Sequence, residues 1–201
     1  GLVGSEMCIR DRFDGLKKIL SGSDTEYTSA VDISTSALMD SNYNAYLDEL
    51  DGFISKLAEK PDILLMNNEL LTKTRAAARR AGFYERSVDG FGRTVEKYNG
   101  IPMMDVGQYY NGTKTVDVIE TTTPSATAYG ETAIYAAKLG LNAFHGISVD
   151  GSKMVHTYLP DLNAPGAVKK GEVEMLAGAV LKNSKMAGVL KGIKVKPKTA
   201  G

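Results

Sequence analysis

The stretch FGRTVEKYNGIPMMDVG, residues 91–107, decides how the rest of the sequence is interpreted. Its two extended runs, residues 93–98 and 101–106, are joined by Asn99 and Gly100. Asn-Gly between two such runs predicts a β-hairpin, because both residues adopt positive φ at low energetic cost. Pro102 lacks a backbone N–H, so we expect its strand to lie at a sheet edge or to bend there. The stretch has none of the parts of a catalytic centre, and we interpret it as structural scaffold.

The first residues, GLVGSEMCIRDR, do not resemble a sequence that evolved to fold. They resemble the translation of a transposase sequencing adapter fused to an open reading frame, and we exclude residues 1–12 from the fold prediction. Cys8, the only cysteine, lies in this segment, so the rest of the chain has neither a disulfide framework nor a cysteine-based zinc site. We expect that native sequence upstream of this segment is missing.

Charge balance and length restrict the class of protein. The 201 residues contain 24 basic and 24 acidic side chains, for a formal net charge of zero. A neutral balance gives no global argument for a nucleic acid or an anionic membrane as partner. No apolar run approaches the roughly 20 residues of a membrane-spanning helix, so no membrane partner is expected. The 189 residues that remain (201 minus 12) suit one sizeable domain or two small ones.

The clearest helix is predicted over residues 45–59. Asn44 can cap its start, and Pro61 follows its end. At 100° per residue, one stripe of this helix is apolar, which indicates that it packs against a core. The stripe consists of Tyr46, Leu47, Leu50, Phe53, Ile54, Leu57 and Ala58.

Other elements are predicted on both sides of this helix. Residues 13–20 predict a short helix, and the apolar run ILLM at Ile63–Met66 predicts a buried strand. A second long helix is expected to begin after Asn67 or Asn68, either of which can cap it. It should end at Ala81, with Gly82 as its C-terminal stop.

After the hairpin, the sequence is predicted to be mostly strand and loop. Residues 143–149 and 154–159 are expected to pair across Asp150-Gly151, a second hairpin signal. A short helix over residues 184–190 is expected near the end of the chain. Helices in the first part and strands in the second predict an α+β fold, because sustained βαβ alternation is absent. The other predicted strands are residues 114–120, 132–138 and 172–182, and the predicted loops are residues 121–129 and 163–171.

No arrangement of residues indicates a catalytic, cofactor-binding or metal-binding site. His145 and His156, the only histidines, both lie in predicted strands, where a structural role is the simpler interpretation. Two histidines without a ligand-type spacing do not predict a metal site. The GFGR run at residues 90–93 has the wrong spacing for a dinucleotide loop, and the sequence has no P-loop motif. We therefore predict that the protein is not an enzyme and uses no cofactor.

Two groups of basic residues are candidate contact sites. Arg75, Arg79 and Arg80 lie on the second long helix, and Lys191 and Lys194 lie near the C-terminus. Either group could contact a neighbouring subunit or face DNA. The alternatives are an ordinary exposed helix face and a solvated basic tail over residues 194–201. The sequence leaves both interpretations open.

Taken together, the order of the motifs resembles the C-terminal part of the tailed-phage major capsid protein family. None of these motifs is specific alone, but their order and spacing extend over nearly all of residues 13–193. They are FDGLKKIL at 13–20, LDELDGFISKLAEKPDILLMN at 47–67, the hairpin stretch at 91–107, AIYAAKLG at 133–140, HGI at 145–147 and VLKGI at 189–193.

The resemblance implies an α+β capsid subunit with an axial domain and a peripheral domain. Residues 13–140 would then be mostly axial domain, and residues 141–193 would supply the remaining axial strands and a peripheral-domain return strand. Residues 194–201 would be a basic tail. The resemblance also implies an N-terminal arm, an extended loop and a spine helix, which we expect to be missing upstream of residue 13.

The function that the resemblance implies is structural. Identical subunits would form pentamers and hexamers and close into an icosahedral phage head around double-stranded DNA, held by non-specific contacts. The implied partners are further copies of the chain, scaffold, portal or decoration proteins, and the packaged DNA. The implied location is the virion, after assembly in the host cytoplasm.

Two alternatives remain at the level of sequence. An encapsulin-like nanocompartment shares the shell fold but encloses cargo proteins instead of a genome. A small-molecule enzyme or binding module is the alternative from another class. An apolar pocket that gathers His145, His156 and a carboxylate would favour that last interpretation.

Overall fold

The structure is a computed structural model that describes residues 15–82, 85–88, 94–123, 128–148, 155–160, 166–175 and 177–198. The adapter-like segment, residues 13 and 14 of the first predicted helix, and the turn at Asp150-Gly151 lie outside these ranges. The helices within them are α1 (Leu16–Leu20), α2 (Ser36–Ser55) and α3 (Asn68–Ala81), with a 3₁₀ turn at Ser184–Met186. The strands are β1 (Glu26–Thr28), β2 (Ile63–Met66), β3 (Glu85–Val88), β4 (Thr94–Tyr98), β5 (Ile101–Asp105), β6 (Gln108–Tyr110), β7 (Thr115–Asp117), β8 (Gly130–Ala137), β9 (Phe144–Ile147), β10 (Val155–Tyr158), β11 (Glu172–Met175), β12 (Gly178–Leu181) and β13 (Ala187–Lys196).

A seven-stranded mixed sheet, in the order β1-β13-β8-β2-β5-β4-β3, forms the centre of the fold. The predicted strand β2 lies in the middle, parallel to β5 and antiparallel to β8. Leu64 and Met66 are fully buried on one face, and Ile63 packs against apolar residues on the other, which explains why this short run is wholly apolar. The large sheet and its helices confirm the predicted α+β class.

The Asn-Gly hairpin is confirmed. β4 and β5 pair with Tyr98 opposite Ile101, and the two turn residues have φ of 50° and 72°. The expectation of an edge position for Pro102 is wrong, because β5 lies between β4 and β2. The parallel ladder to β2 begins one residue later, at Leu64 opposite Met103. Pro102 therefore precedes the ladder between β5 and β2, where no backbone N–H is required of it.

Helix α2 begins much earlier than predicted. Thr35, and not Asn44, is its N-cap, with Oγ1 accepting a hydrogen bond from the Leu38 N–H at 3.2 Å. Met39, in the added turns, is buried and extends the apolar stripe toward the N-terminus. The helix ends at Ser55, before the predicted end at residue 59, and Ala58 is exposed. Residues 36–44 mix polar and apolar side chains, so the stripe alone did not reveal them.

Helix α3 has the predicted bounds. Asn67 caps its start, and Gly82 ends it in the left-handed conformation at φ 76°. α2 and α3 pack on the same face of the sheet, around Tyr46, Leu50 and Leu70. Leu20 of α1 packs with Ala137, Ala187 and Val189 in a second cluster. Because alternate residues of β8 contribute to the two clusters, they lie on opposite faces of the sheet.

The predicted hairpin between residues 143–149 and 154–159 is wrong. β9 pairs instead with β12, and β10 pairs with β11, both antiparallel. The single strand predicted over residues 172–182 is likewise two strands with different partners. The predicted strands at residues 114–120 and 132–138 correspond to β7, which pairs with β6, and to β8. A local turn signal was therefore overridden by pairing with segments farther along the chain.

The predicted helix over residues 184–190 is also wrong. Only the 3₁₀ turn at Ser184–Met186 forms, and β13 follows it as the longest of the described strands. β13 pairs with β8, and its register shifts at Gly192, which has φ 76°. The predicted basic tail at residues 194–201 overlaps this strand, since Lys194 and Lys196 belong to the sheet. The division into axial and peripheral domains stays a prediction.

Candidate assembly and polyanion-binding surfaces

The basic face of α3 is only partly free. Arg75 forms an ion pair with Glu96 of β4, with Nε 2.9 Å from Oε1, and the glutamate is largely buried. Arg80 forms a second ion pair with Asp40 of α2, with Nε 2.6 Å from Oδ1. Arg79 is exposed and forms no ion pair within the described part of the chain. Arg75 and Arg80 therefore link α3 to neighbouring elements, and Arg79 is the member of the group that presents its charge to solvent.

Lys191 also has a partner in its own chain. Its Nζ lies 2.7 Å from Oε1 of Glu26, which lies on the adjacent strand β1. Hydrogen bonds from Lys191 and from the Gly22 backbone N–H lower the pKa of Glu26 below its usual value. The Lys191 charge is therefore balanced by a glutamate that stays ionised at neutral pH.

Lys194 and Lys198 share one aromatic ring. Their Nζ atoms lie 4.9 Å and 5.0 Å from the centre of the Tyr129 ring, a distance typical of cation–π contacts. Desolvation, and then the charge of Asp32, raises the pKa of Tyr129, so its hydroxyl stays protonated at neutral pH. Neither lysine forms an ion pair with a described residue, although Glu131 is opposite Lys194 in the sheet register. This pair of lysines is a small positive surface with an aromatic centre.

The five predicted contact residues are not gathered into one site. The three arginines lie on α3, which covers the sheet face lined by Leu190 and Ile193. Lys191 and Lys194 follow these buried residues by one position in β13, so their side chains belong to the other face. The structure thus divides the prediction into two separate surfaces.

The histidines are not brought together either. His145 is opposite Val180 in the β9–β12 ribbon, and His156 is opposite Glu174 in the β10–β11 ribbon. A shallow cavity of about 390 Å³ lies at the end of α2 and contains neither histidine. It is lined by Asp51, Ile54, Ser55, Leu57, Ala58, Glu59, Lys60 and Asn99. Across the described ranges, no group of three or more His, Cys, Asp or Glu side chains could hold a metal ion.

A buried polar network around Asn67 was missed as such by the sequence prediction. Its Oδ1 accepts the Leu70 N–H at 2.9 Å and caps α3. Its Nδ2 donates to Ile119 O, Thr121 Oγ1 and Thr132 Oγ1, at 3.0, 3.0 and 3.1 Å. The capping role of Asn67 was visible in the sequence. The hydrogen bonds that its Nδ2 donates were not, because their acceptors lie more than fifty residues away. The network joins the start of α3 to the segment that enters β8.

None of the described helices is both long enough and apolar enough to cross a membrane.

No protein-family model matches the sequence, and no curated protein matches it. Similarity appears among solved structures. The holo-SrpI encapsulin complex from Synechococcus elongatus PCC 7942 superposes with a TM-score of 0.64 at 14% sequence identity, over 93% of this chain. The chain has an encapsulin-type fold.

This fold is shared with only part of the larger neighbour. The match covers 59% of the length of the encapsulin chain. A protein described as a prophage capsid protein from E. coli CFT073 matches with a TM-score of 0.45 at 13% identity, over 79% of this chain and 48% of that one. The fold assignment depends on the encapsulin, and at such low identity it concerns the fold alone.

Proposed function

We propose that this chain is a structural subunit that self-assembles into a closed shell, and specifically a major capsid protein of a tailed-phage head. The observation that carries the proposal is the shell fold, which extends over 93% of the chain. The ordered motifs between residues 13 and 193 support the phage capsid as the specific form. The proposal makes the protein a building unit and not an enzyme.

Assembly of such a shell depends on contacts between identical chains. Heterologous contacts repeat around an axis and close into rings, and rings then close into an icosahedron. Each contact can be weak, because closure makes the later contacts intramolecular and raises the overall avidity. The partners in this proposal are further copies of the chain, with scaffold, portal or decoration proteins added during assembly in the host cytoplasm. The finished location is the virion.

Two surfaces of the chain are suited to packaged DNA. Arg79 and the Lys194–Lys198 pair around Tyr129 carry charges that no described acidic residue pairs with directly. Such cations bind phosphates without sequence preference and release counterions, so the affinity falls with salt. Because the two surfaces belong to opposite faces of the sheet, we propose the Lys194–Lys198 surface as the DNA-facing contact and Arg79 as an inter-subunit contact. Arg75, Arg80 and Lys191 are weaker candidates, because each has an acidic partner in its own chain.

An encapsulin-like nanocompartment is the second candidate. It is favoured by one observation, the superposition on an encapsulin with a TM-score of 0.64. The two candidates share the fold and differ in what the shell encloses. The contents of an isolated particle therefore decide between them.

The test is to express the complete reading frame from which the sequence comes and to examine the purified product by sedimentation velocity and negative-stain electron microscopy. Closed particles of uniform size support a shell subunit, and a product that stays monomeric at every concentration contradicts it. Nuclease-protected DNA inside particles made during infection or induction supports the phage capsid. Particles that contain a co-purifying protein and no DNA support the nanocompartment.

The DNA surface is tested by neutralising charges in pairs. Lys194→Gln combined with Lys198→Gln should weaken binding to duplex DNA. The slope of log K against log salt should fall by about 0.9 for each phosphate that the protein no longer neutralises. Lys191→Gln is the matched control, because Glu26 already balances that lysine. Equal effects of the two variants would contradict the assignment of Lys194 and Lys198.

A further inference from the structure

The β10–β11 ribbon, hereafter the outer ribbon, has little support from the other described elements of the fold. It consists of Val155–Tyr158 and Glu172–Met175, paired only with each other among the described residues. Neither strand makes a backbone hydrogen bond to another described element. A two-stranded ribbon without a third strand or a covering helix is marginally stable in water. The outer ribbon therefore needs a partner that the described chain does not provide.

Both faces of the outer ribbon present apolar side chains to solvent. The register places Val155 opposite Met175 and Thr157 opposite Val173 on one face. The exposed fractions of these three apolar side chains are 46%, 58% and 71%. Tyr158, on the other face, is 56% exposed. Exposed apolar residues that occur together, rather than singly, indicate a contact surface.

The two free edges of the outer ribbon differ in charge. β10, with the sequence VHTY, has no acidic or basic residue other than His156. It lacks the lysine or proline that commonly protects an edge strand, so its outer edge is a template for another strand. β11, with the sequence EVEM, carries Glu172 and Glu174. Two β11 edges placed side by side would bring like charges together, which is unfavourable.

A contact between β10 of one chain and β11 of another avoids this repulsion. Within the chain, His156 is opposite Glu174, and Thr157 is opposite Val173. In an antiparallel ribbon, every second pair of opposite residues directs its backbone N–H and C=O groups away from the partner strand. These outward groups of β10 can therefore bond to those of β11 from another copy in the same register. The chain's own pairing is thus the template for the contact with its neighbour.

We propose that the outer ribbon is a self-association surface, in which the free edge of β10 pairs with the free edge of β11 from a second copy of this chain. The proposal rests on the proposed shell function and names a surface that serves it. The contact is heterologous, so it repeats from copy to copy, and in a shell the repeat closes into a ring. Strands of four residues bury far less than the roughly 800 Å² per partner of a stable interface, so the contact holds only when a ring closes.

A matched pair of valine substitutions tests the surface. Val173→Lys introduces a charge on the face where Val173 is opposite Thr157. Val168→Lys introduces the same charge in the segment that follows β10 and precedes β11, at a valine that is 79% exposed. Both side chains are mostly exposed, so neither change disturbs the core. Val173→Lys should weaken each contact about two- to fivefold and shift assembly to higher concentration, with no shift for Val168→Lys. Equal shifts, or none for Val173→Lys, would overturn the proposal.

Disulfide trapping tests the register. In a background with every other cysteine replaced by serine, the variants Thr157→Cys and Val173→Cys are made separately, given tags of different size, mixed and oxidised. The proposal expects the mixed dimer, because cross-strand cysteines in this register lie within disulfide distance. A dimer of Thr157→Cys with itself would mean that two β10 edges pair, and this result overturns the proposal.

The same experiment separates this proposal from the proposed function. It is done on the complete reading frame, and sedimentation is measured beside oxidation. Particles that form without the mixed disulfide overturn the ribbon contact and leave the shell function standing. A product that forms neither particles nor the mixed disulfide overturns both.

Discussion

Replacing Asn67 with alanine tests whether the buried network at the start of α3 is a main support of the fold. Asn67 is 1% exposed and bonds to Leu70 N, Ile119 O, Thr121 Oγ1 and Thr132 Oγ1. Its neighbour Asn68 is exposed and lies inside the helix. Asn68→Ala is therefore the matched control, with the same chemistry changed one position along the chain.

The expected magnitude follows from these contacts. Loss of the N-cap acceptor costs about 1 kcal/mol, with a range of about 0.5–2. Loss of the Nδ2 donor leaves the Ile119 carbonyl and two threonine hydroxyls with fewer partners, at about 0.5–1.5 kcal/mol for each bond not replaced. Since the threonine hydroxyls keep other partners, Asn67→Ala should lower the free energy of unfolding by about 2–4 kcal/mol. Asn68→Ala should stay within about 0.5 kcal/mol of wild type.

Urea denaturation followed by circular dichroism measures the difference, with the slope m checked for each variant. An unchanged m and a lower midpoint identify a loss of stability, and not a change in the unfolded state. For a chain of this length, 1 kcal/mol corresponds to about 2–4 °C in melting temperature, so a thermal scan gives an independent value. Equal effects of Asn67→Ala and Asn68→Ala would refute the reasoning, because only Asn67 reaches across to β8 and the segment before it.

Three further predictions concern the core. The Tyr46 hydroxyl contacts Thr74 Oγ1 at 2.7 Å, and burial raises its pKa. Its contribution to stability is therefore fully present below about pH 10 and is lost as the pH rises. Above about pH 10 the unfolding free energy of wild type should fall by about 1.4 kcal/mol per pH unit more than that of Tyr46→Phe, and parallel urea-derived profiles would contradict this. Gly188→Ala puts a Cβ 2.9 Å from Leu57 Cδ2 and 3.1 Å from Thr25 O and should cost about 1–3 kcal/mol. Gly52→Ala, with open space around it, should be neutral or stabilise by up to about 1 kcal/mol, and the same urea midpoints check both. Leu50→Asp should abolish cooperative unfolding because Leu50 is fully buried, whereas Ile54→Asp, at a half-buried position, should keep a cooperative but lower melting transition by circular dichroism.

The candidate contact residues show how far sequence reasoning extends to a surface. The positions of Arg75, Arg79 and Arg80 on one helix followed from periodicity. Their partners did not, because Glu96 and Asp40 lie 21 and 40 residues away along the chain. Which of three neighbouring arginines is free therefore depends on the packing of α3 against α2 and β4.

The sequence by itself determined the elements whose signals are local. The Asn99-Gly100 turn, the buried strand β2, and the cap and stop of α3 each depend on residues a few positions apart. Backbone dihedral preferences and single side-chain bonds act over that distance. These elements form as predicted, and the α+β class followed from the order of helices and strands along the chain.

Only the tertiary structure decided the rest. β13 is a strand because β8 and β1 offer ladders on both sides of it, and these lie 50 or more residues earlier in the chain. β9 pairs with β12, and not with the segment that follows Asp150-Gly151. α2 begins at Ser36 because Thr35 caps the helix and Met39 is buried in the core. The apolar stripe predicted over residues 45–59 includes neither residue. Strand pairing and burial are gained only from segments that are distant in sequence and close in space, so a reading of neighbouring residues has no access to them.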